Sequence, residues 1–507
     1  MSLDTSLSIA TSGIANINQA FTVISQNIAN ANTPGYAMEQ TTGQSLVAGG
    51  LGFGVINGPT TLLTDQALLA EVFQQNANAT SAQTTSNALS TISTALGAVG
   101  SGNDLGSLVT SLQNSFSALL NDPASSVQQE QVVSAAQSLT AQINAISASY
   151  AEASQGAQNG LQSGIASLTT DLQQVGSLSN QIIDLKASGQ STADLENQRN
   201  QVLSSISNLT DARFAKQPNG DMLVFTASGV QLPTRGTTMP SITAATTGAT
   251  AYYPGGGLPG IMLGGQDITA ALTGGSIGAN LALRDTTIPT CQAQLDEFSE
   301  TLATRFSAQG LTLFSDPNGN VPAGGGTPVQ SGYVGFSSII TVNPAVVTTP
   351  SLVRDGTQAV AGSPTGASAF TPNPNNLPGF TTMIDRVLNY SLGTQVQAGV
   401  TQPAPNVTGL GPNGNLSAGF AAPDNLVDFA NTVTSTQAAS SAAATSDATE
   451  QQATQTTLTG NLTTATGVDM DGQISLMVQL QNAYGANAKI LTTIESMYST
   501  LLQAVSV

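Results

Sequence analysis

Few side chains in this 507-residue chain could do chemistry. It has no histidine and no tryptophan, and Cys291 is its only cysteine. A chain without His lacks the commonest general base and metal ligand. A lone thiol excludes intrachain disulfides, thiolate metal clusters and Cys–His catalysis, and Cys291 is read as a small core residue. Asp469-Met470-Asp471-Gly472 has the start of a calcium loop, but no acid follows until Glu495, so the later ligands are missing. These residues read instead as the cap of a C-terminal helix. The Gly-rich pieces lack the Gly-Lys-Ser/Thr ending of a phosphate loop. Asp296, Glu297 and Glu300 share one helical stretch and read as a solvated face. No nucleophile–base pair emerges. The expectation is a protein that is not an enzyme, with no catalytic residues, no cofactor and no metal.

Composition narrows the partners. Acids outnumber bases 29 to 10, for a net charge of −19, and charged residues make up only 8% of the chain. The first Lys or Arg is Lys186. Phosphate backbones and anionic membranes need clustered Lys and Arg, so nucleic acid and lipid surface are both poor partners. No apolar run approaches the length of a membrane span, and the Met-Ser-Leu-Asp start has no basic n-region. That predicts a cytoplasmic protein, or one exported without a cleaved signal peptide.

The informative elements are the two chain ends. Leu3, Leu7, Ala10, Ile14, Ile17, Phe21, Ile24 and Ile28 step by alternating four and three, the rhythm of a coiled-coil seam. Ser, Thr, Asn and Gln fill the positions between, and Asp4 is the only charge before Glu39. The helix should be about 28 residues, or roughly 42 Å, long. It ends in Asn30-Ala31-Asn32-Thr33-Pro34-Gly35-Tyr36, where Pro34 and Gly35 suit the centre of a type II turn. At the far end Leu476, Leu480, Ala483, Asn487, Ile490, Ile494, Met497, Leu501 and Ala504 keep the same step. A second stripe runs beside it through Met477, Gln481, Tyr484, Ala488, Leu491, Tyr498, Leu502 and Val505. Two stripes suit a helix that touches more than one neighbour. The natural partner of each terminus is the other, and then the termini of further copies. Asn487, a polar residue on the seam, is the candidate for fixing register.

The stretch Ser25-Gln26-Asn27-Ile28-Ala29-Asn30-Ala31-Asn32-Thr33-Pro34-Gly35-Tyr36, with Gln479-Leu480-Gln481-Asn482-Ala483-Tyr484-Gly485-Ala486-Asn487-Ala488-Lys489, resembles the axial proteins of the bacterial flagellum. Rod, hook and hook-associated proteins share these signatures, and the helix-rich interior resembles the hook-associated kind. The family usually carries a pair of acids after the position of Asp471, where this chain has Gly472 and Gln473. The resemblance implies a structural subunit joining hook to filament, self-associating through its terminal helices. It implies export by the flagellar type III apparatus, an extracellular location, and an export chaperone. The implied neighbours are the hook protein and a second hook-associated protein or flagellin. A hook or distal-rod protein is the alternative within the family, and a secreted helical effector or adhesin the alternative outside it.

Between the ends, the sequence predicts a Gly-rich strand or loop to about residue 60, a helix from Leu62 to about Val99, and a helix from Leu105 capped by Asn103 or Asp104. Pro123 is expected to open a very long helix over 124–186, bent at Gly156, Gly160, Gly164 and Gly176. A helix through Leu195–Leu209 follows, then β-rich sequence in which Asn219–Thr226 reads as a turn followed by a strand. Helix returns around Leu295–Phe306, and a strand is expected over Ser338–Val342. Further helix is expected at Phe380–Leu392 and from Leu426 toward Gly467. The fold class is therefore mainly α with β-rich insertions, a long antiparallel helical rod made from both chain ends. The expected division is a terminal coiled-coil domain (1–36 and 470–507), a helical rod (37–210, 276–310 and 380–469) and one or two outer β-rich domains (211–275 and 311–379).

Overall fold

The computed structural model describes residues 3–98 and 100–505, the side chains of residues 48 and 505 excepted. Val99 and the Val505 side chain, both read in the sequence as apolar positions, lie outside the described residues. Helix α1 spans Leu3–Asn30. Four short strands follow: β1 (Glu39–Gln40), β2 (Gly43–Ala48), β3 (Leu51–Asn57) and β4 (Thr61–Leu62), with β1 paired to β4 and β2 to β3. Helix α2 (Gln66–Leu96) begins where the Asp65 carboxylate accepts the amides of Ala67 and Leu68. Helix α3 (Leu105–Asn121) is capped by Asp104, which accepts the Ser107 amide.

Helix α4, Ser126–Ala187, is 62 residues of unbroken helix, about 93 Å at 1.5 Å per residue. Its cap is Ser125 rather than Pro123, because the Ser hydroxyl can accept the orphan Gln128 amide at 3.3 Å. Pro123 stands just outside, its carbonyl accepting the Gln129 side chain at 2.9 Å. Helix α5 (Ala193–Leu209) turns back along α4, and β5 (Ala212–Lys216), β6 (Met222–Thr226) and β7 (Gln231–Leu232) form a three-stranded antiparallel sheet. After the small pair β8/β9 (Met262–Leu263, Gln266–Asp267), helix α6 (Gly275–Ala282) passes through a π-type turn over Leu283–Thr287 into α7 (Ile288–Ala308). The outer segment 311–425 holds α8 (Pro344–Thr348), α9 (Leu352–Asp355), α10 (Thr382–Arg386) and three two-stranded pairs: β10/β11 (Phe314–Ser315, Thr341–Val342), β12/β13 (Gln395–Gln397, Val400–Thr401) and β14/β15 (Thr408–Leu410, Leu416–Ser417). The strand expected over Ser338–Val342 is only Thr341–Val342, because Phe336–Ser338 closes a tight helical turn that buries Phe336. Helix α11 (Leu426–Thr466) and helix α12 (Met470–Val505) finish the chain.

Two buried apolar clusters are strung along α4. One joins Leu112, Phe116, Leu139, Ile143 and Ile146 to Phe298, Phe306, Phe314 and Phe429, and the other joins Leu161, Leu168, Leu172 and Val175 to Leu203, Ile206, Val224 and Ile277. Neither contains a residue of α1 or α12. Cys291 lies in the first, as a small buried side chain.

The glycines of α4 do not interrupt it; three of them let other segments lie against its backbone. A Cβ at Gly160 would sit 2.8 Å from Asn280 Nδ2, one at Gly164 2.9 Å from Ile277 Cγ1, and one at Gly176 1.9 Å from the Thr234 carbonyl oxygen. Gly156 faces open space. The two classes should respond oppositely to alanine. Gly156→Ala should raise stability by about 0.5–1 kcal/mol through helix propensity alone. Gly176→Ala gains the same propensity but collides with fixed backbone, and should lower stability by about 1–3 kcal/mol. Urea unfolding of both variants checks this, and two changes of the same sign would refute the notch reading.

Candidate functional site

The site is the pair α1–α12 and the joint that fastens it to the body. The helices run antiparallel, since the Tyr498 hydroxyl donates to Asp4 at one end while Asn27 Nδ2 donates to Gln473 Oε1 at 3.2 Å at the other. Midway, Asn487 lies over Gly13, where an added Cβ would come within 3.4 Å of the Asn487 amide oxygen. The Asn487 Nδ2 donates to the Ala483 carbonyl at 3.2 Å, so its polar end is satisfied within its own helix. On α1, Ile17 and Ile24 are buried, and Leu3, Leu7, Ile14, Phe21 and Ile28 are half-buried. On α12, Ile494 is buried and Leu480 and Asn487 are half-buried, whereas Leu476, Tyr484, Ile490, Met497 and Leu501 are exposed.

The line that faces α1 is therefore drawn from both stripes of the sequence. It runs through Gln473, Met477, Leu480, Asn487, Leu491, Ile494 and Tyr498, all buried or half-buried. The stripes separate by rotation of the helix. One line meets α1, and the remainder of the first seam looks outward.

A second element lies along α1. The β2–β3 hairpin is seated by Ser12 Oγ, which accepts the Val55 amide at 3.2 Å, by Asn16 Nδ2 donating to Asn57 Oδ1 at 2.9 Å, and by Gln19 Nε2 donating to the Gly58 carbonyl at 3.3 Å. Gly54 makes this approach possible, with φ +121° and Ser12 Oγ only 2.1 Å from where a Cβ would stand.

The joint follows the turn. The Tyr36 amide donates to the Thr33 carbonyl at 3.2 Å and Gly35 has φ +75°, the geometry of a type II turn with Pro34 and Gly35 at its centre. Thr33 Oγ1 donates to Asn30 Oδ1 at 3.3 Å, and Asn32 is exposed. The turn carries the chain back onto Asn27, which is 1% exposed. The Asn27 Oδ1 accepts the Glu39 amide at 2.9 Å and the Tyr36 hydroxyl at 3.1 Å, and its Nδ2 donates to the Glu39 carbonyl at 2.9 Å as well as to Gln473. One residue before, the Met38 amide donates to the Thr466 carbonyl at 2.7 Å at the end of α11. Asn197 of α5 pairs with both backbone groups of Ala37, each at 3.0 Å. One side-chain amide thus fastens α1 to the start of α12, and another fastens the joint to the body.

Glu39 is the strained member. It is 3% exposed, and its Oε1 has no hydrogen-bond partner. Burial, reinforced by the Asp194 carboxyl beside it, pushes its pKa from 4.5 up to about 7. Burial and the same two acids push the Tyr36 hydroxyl up as well.

Asn27, Asn197, Gln473, Met477, Leu491 and Tyr498 were not marked as interface in the sequence. Met477, Leu491 and Tyr498 were visible as the second stripe. The amides carried no signal beyond their place in the terminal motifs, since an Asn reads the same whether it bonds water or backbone. The acidic run on α7 corrects an expectation: Asp296 and Glu297 are each 1% exposed. Asp296 accepts the amides of Gly335 (2.8 Å) and Ser337 (3.0 Å) and the Ser337 hydroxyl (2.6 Å), while burial pushes its pKa up to about 6. Glu297 accepts the Tyr333 hydroxyl at 2.6 Å and the Asn406 amide at 2.6 Å. These acids staple outer loops onto α7, and helical periodicity cannot reveal partners that arrive from 36–109 residues away. Among the described residues no cluster of three or more acids or thiols is arranged to hold a metal ion. Asp469 instead accepts the Asp471 amide at 3.2 Å and starts α12.

Residues 89–321 match the family model described as the flagellar hook-associated protein FlgK helical domain, and residues 460–504 match that of the flagellar basal body rod FlgEFG protein C-terminal. No curated protein matches the chain. Among solved structures it is similar to the flagellar hook junction protein FlgK from Burkholderia pseudomallei, at 22% identity and a TM-score of 0.41. That match covers 50% of this chain and 46% of the other, so the chain spans about half the length of the structure it resembles.

Two outcomes test the joint. Glu39 binds its proton more tightly folded than unfolded, so its contribution to stability is complete below pH 4.5 and is lost as pH rises through about 7. Glu39→Gln should flatten that decline and raise the melting temperature at pH 8, with little change at pH 4. Asn27→Ala strands the Glu39 backbone and the Tyr36 hydroxyl, each at a cost of about 1–3 kcal/mol. Hydrogen exchange at residues 36–40 should accelerate while that of α4 is unchanged.

Proposed function

We propose that this chain, a structural protein of the flagellar axial type and not an enzyme, is the subunit that joins hook to filament. The observation that carries the reading is the separation of the terminal pair from both buried clusters, together with the apolar face that α12 keeps exposed. A body that packs without its ends leaves those ends available to neighbours. The match over residues 89–321 supports a hook-associated subunit over a hook or rod subunit, because the rod-type match is confined to residues 460–504.

The mechanism is coupled folding. Ordering the backbone costs about 1–2 kcal/mol per residue, and each large apolar side chain gains about 1.5–3 kcal/mol when fully buried. In α1 the large apolar side chains buried within one chain are Ile17, Val23 and Ile24, with the other large side chains of the seam only half-covered. Packing among sister subunits completes the burial. Assembly then requires an existing end that presents complementary seams. In this reading residues 1–36 and 470–507 are the assembling domain, residues 37–210, 276–310 and 380–469 the rod, and 211–275 and 311–379 the outer domain or domains. Asn487, seated over Gly13, sets the register of the pair.

The neighbours would be the hook protein on one side and a second hook-associated protein or flagellin on the other. The location would be the extracellular flagellum, reached with an export chaperone through the type III route without a cleaved signal. No helix among the described residues is long and apolar enough to cross a membrane. Removal of residues 1–30, or of 475–507, should leave a folded monomer with most of its helix content that no longer joins hook to filament. Electron microscopy of complemented cells checks this, and intact filaments on hooks built with either truncated chain would defeat the reading.

A further inference from the structure

The β2–β3 hairpin holds a cluster of exposed apolar side chains outside α12. Val47 is 60% exposed, Leu51 65% and Ile56 51%, with Leu46 close behind. They lie in a stretch, residues 40–64, that contains no charged residue. The hairpin base is fixed on α1 by Ser12, Asn16 and Gln19, so its tip is carried at a set place beside the terminal pair. A second such surface is the outward line of α12, where Leu476, Ile490, Met497 and Leu501 are exposed. Within one chain the two surfaces leave each other uncovered.

We propose that the hairpin tip of one copy docks on the outward apolar line of α12 in a second copy. The inference rests on the self-assembly reading above and deepens it by naming the second surface. Charge argues for it. Two copies at −19 each repel, so they can approach closely only through surface that carries little charge, and the hairpin carries none. Apolar gain argues for it too, because exposed apolar patches mark contact sites. Continuity is the third argument: the hairpin flanks α1, and α12 is the partner of α1, so a docked neighbour extends the packing already present in the pair. The two surfaces are different, which makes the contact heterologous. Such contacts propagate around a ring or along a helix and do not close into a two-fold dimer.

The test uses full-length chains in a Cys291→Ala background. One carries Val47→Cys and the other Met497→Cys, and they are mixed at assembling concentration and treated with a short bismaleimide. The expected result is a cross-link between unlike chains, and a ladder of multimers from the double variant. Cross-links confined to like chains, or none in particles that sedimentation shows to be assembled, overturn the proposal. A Leu51→Asp chain separates the two readings. It should keep its helix content and melting temperature and lose at least tenfold in assembly rate. Wild-type assembly by Leu51→Asp overturns the hairpin contact while leaving the terminal-helix reading intact. Failure of the parent chain to assemble under any of these conditions removes both.

Discussion

The contact between α1 and α12 is the one on which the rest depends, and it is one-sided. A 28-residue helix and a 36-residue helix meet along a single line and are fastened mainly at their ends, by Tyr498 to Asp4 and by Gln473 to Asn27. Coiled-coil pairs gain their stability from knobs filling holes along the whole seam. Here much of the seam material points away from the partner. The excess apolar face of α12 is therefore intelligible as surface for further neighbours, and the low charge of both helices removes the repulsion that would otherwise oppose crowding them together.

The body solves the opposite problem, which is to be rigid with almost no charge to spend. Of the chain's ten basic residues, Arg199, Arg284, Arg305 and Arg386 are buried, all four in the body. Each clips a distant loop by its backbone. Arg199 donates to the Gly220 carbonyl at 2.7 Å, Arg284 to that of Pro259 at 3.0 Å, Arg305 to that of Asp424 at 3.2 Å, and Arg386 to that of Gln309 at 2.9 Å. Asp296 and Glu297 do the same for amides. A guanidinium or carboxylate with several backbone partners fixes a loop more firmly than a neutral hydrogen bond does. Together with the glycine notches of α4, these clips let irregular outer segments lie directly on a continuous helix.

Much of this was legible in the sequence because heptads and caps are local. The four-three step located α1 and α12, Asp104 marks the start of α3 as its type requires, and Gly467 ends α11. What the sequence hid was long-range. Glycine at 160, 164 and 176 weakens a helix when read locally, yet in the fold it admits a neighbour whose presence only the tertiary structure shows. The acids of α7 read as solvated because their partners lie on separate loops. The rotation of α12 was hidden for a related reason. Two adjacent apolar stripes are equally sticky, and which one meets α1 is decided at the joint by Asn27 and Gln473, neither of them apolar.

The link between body and ends is itself unlike either. Helices α2 and α11 run side by side, but beyond Ser441 α11 buries only Ala448 and Thr466. Amides hold it instead: Gln75 Nε2 donates to the Gln451 carbonyl at 2.9 Å, Gln455 Nε2 to Asn76 Oδ1 at 2.9 Å, and Asn76 Nδ2 to Ser207 of α5 at 3.1 Å. Net gains near 1 kcal/mol per such bond are modest beside apolar burial, and water can replace a broken partner at little cost. Apolar interdigitation would lock α11 to α2 in a single register. A ladder of side-chain amides and hydroxyls holds the same helices together while permitting small displacements, since each group finds another acceptor or a water nearby. The terminal pair is therefore tied to the two apolar clusters through a largely polar segment. In a subunit proposed to join hook to filament, small adjustments would fall on the stretch between Ser441 and the joint at Asn27 rather than on the clusters.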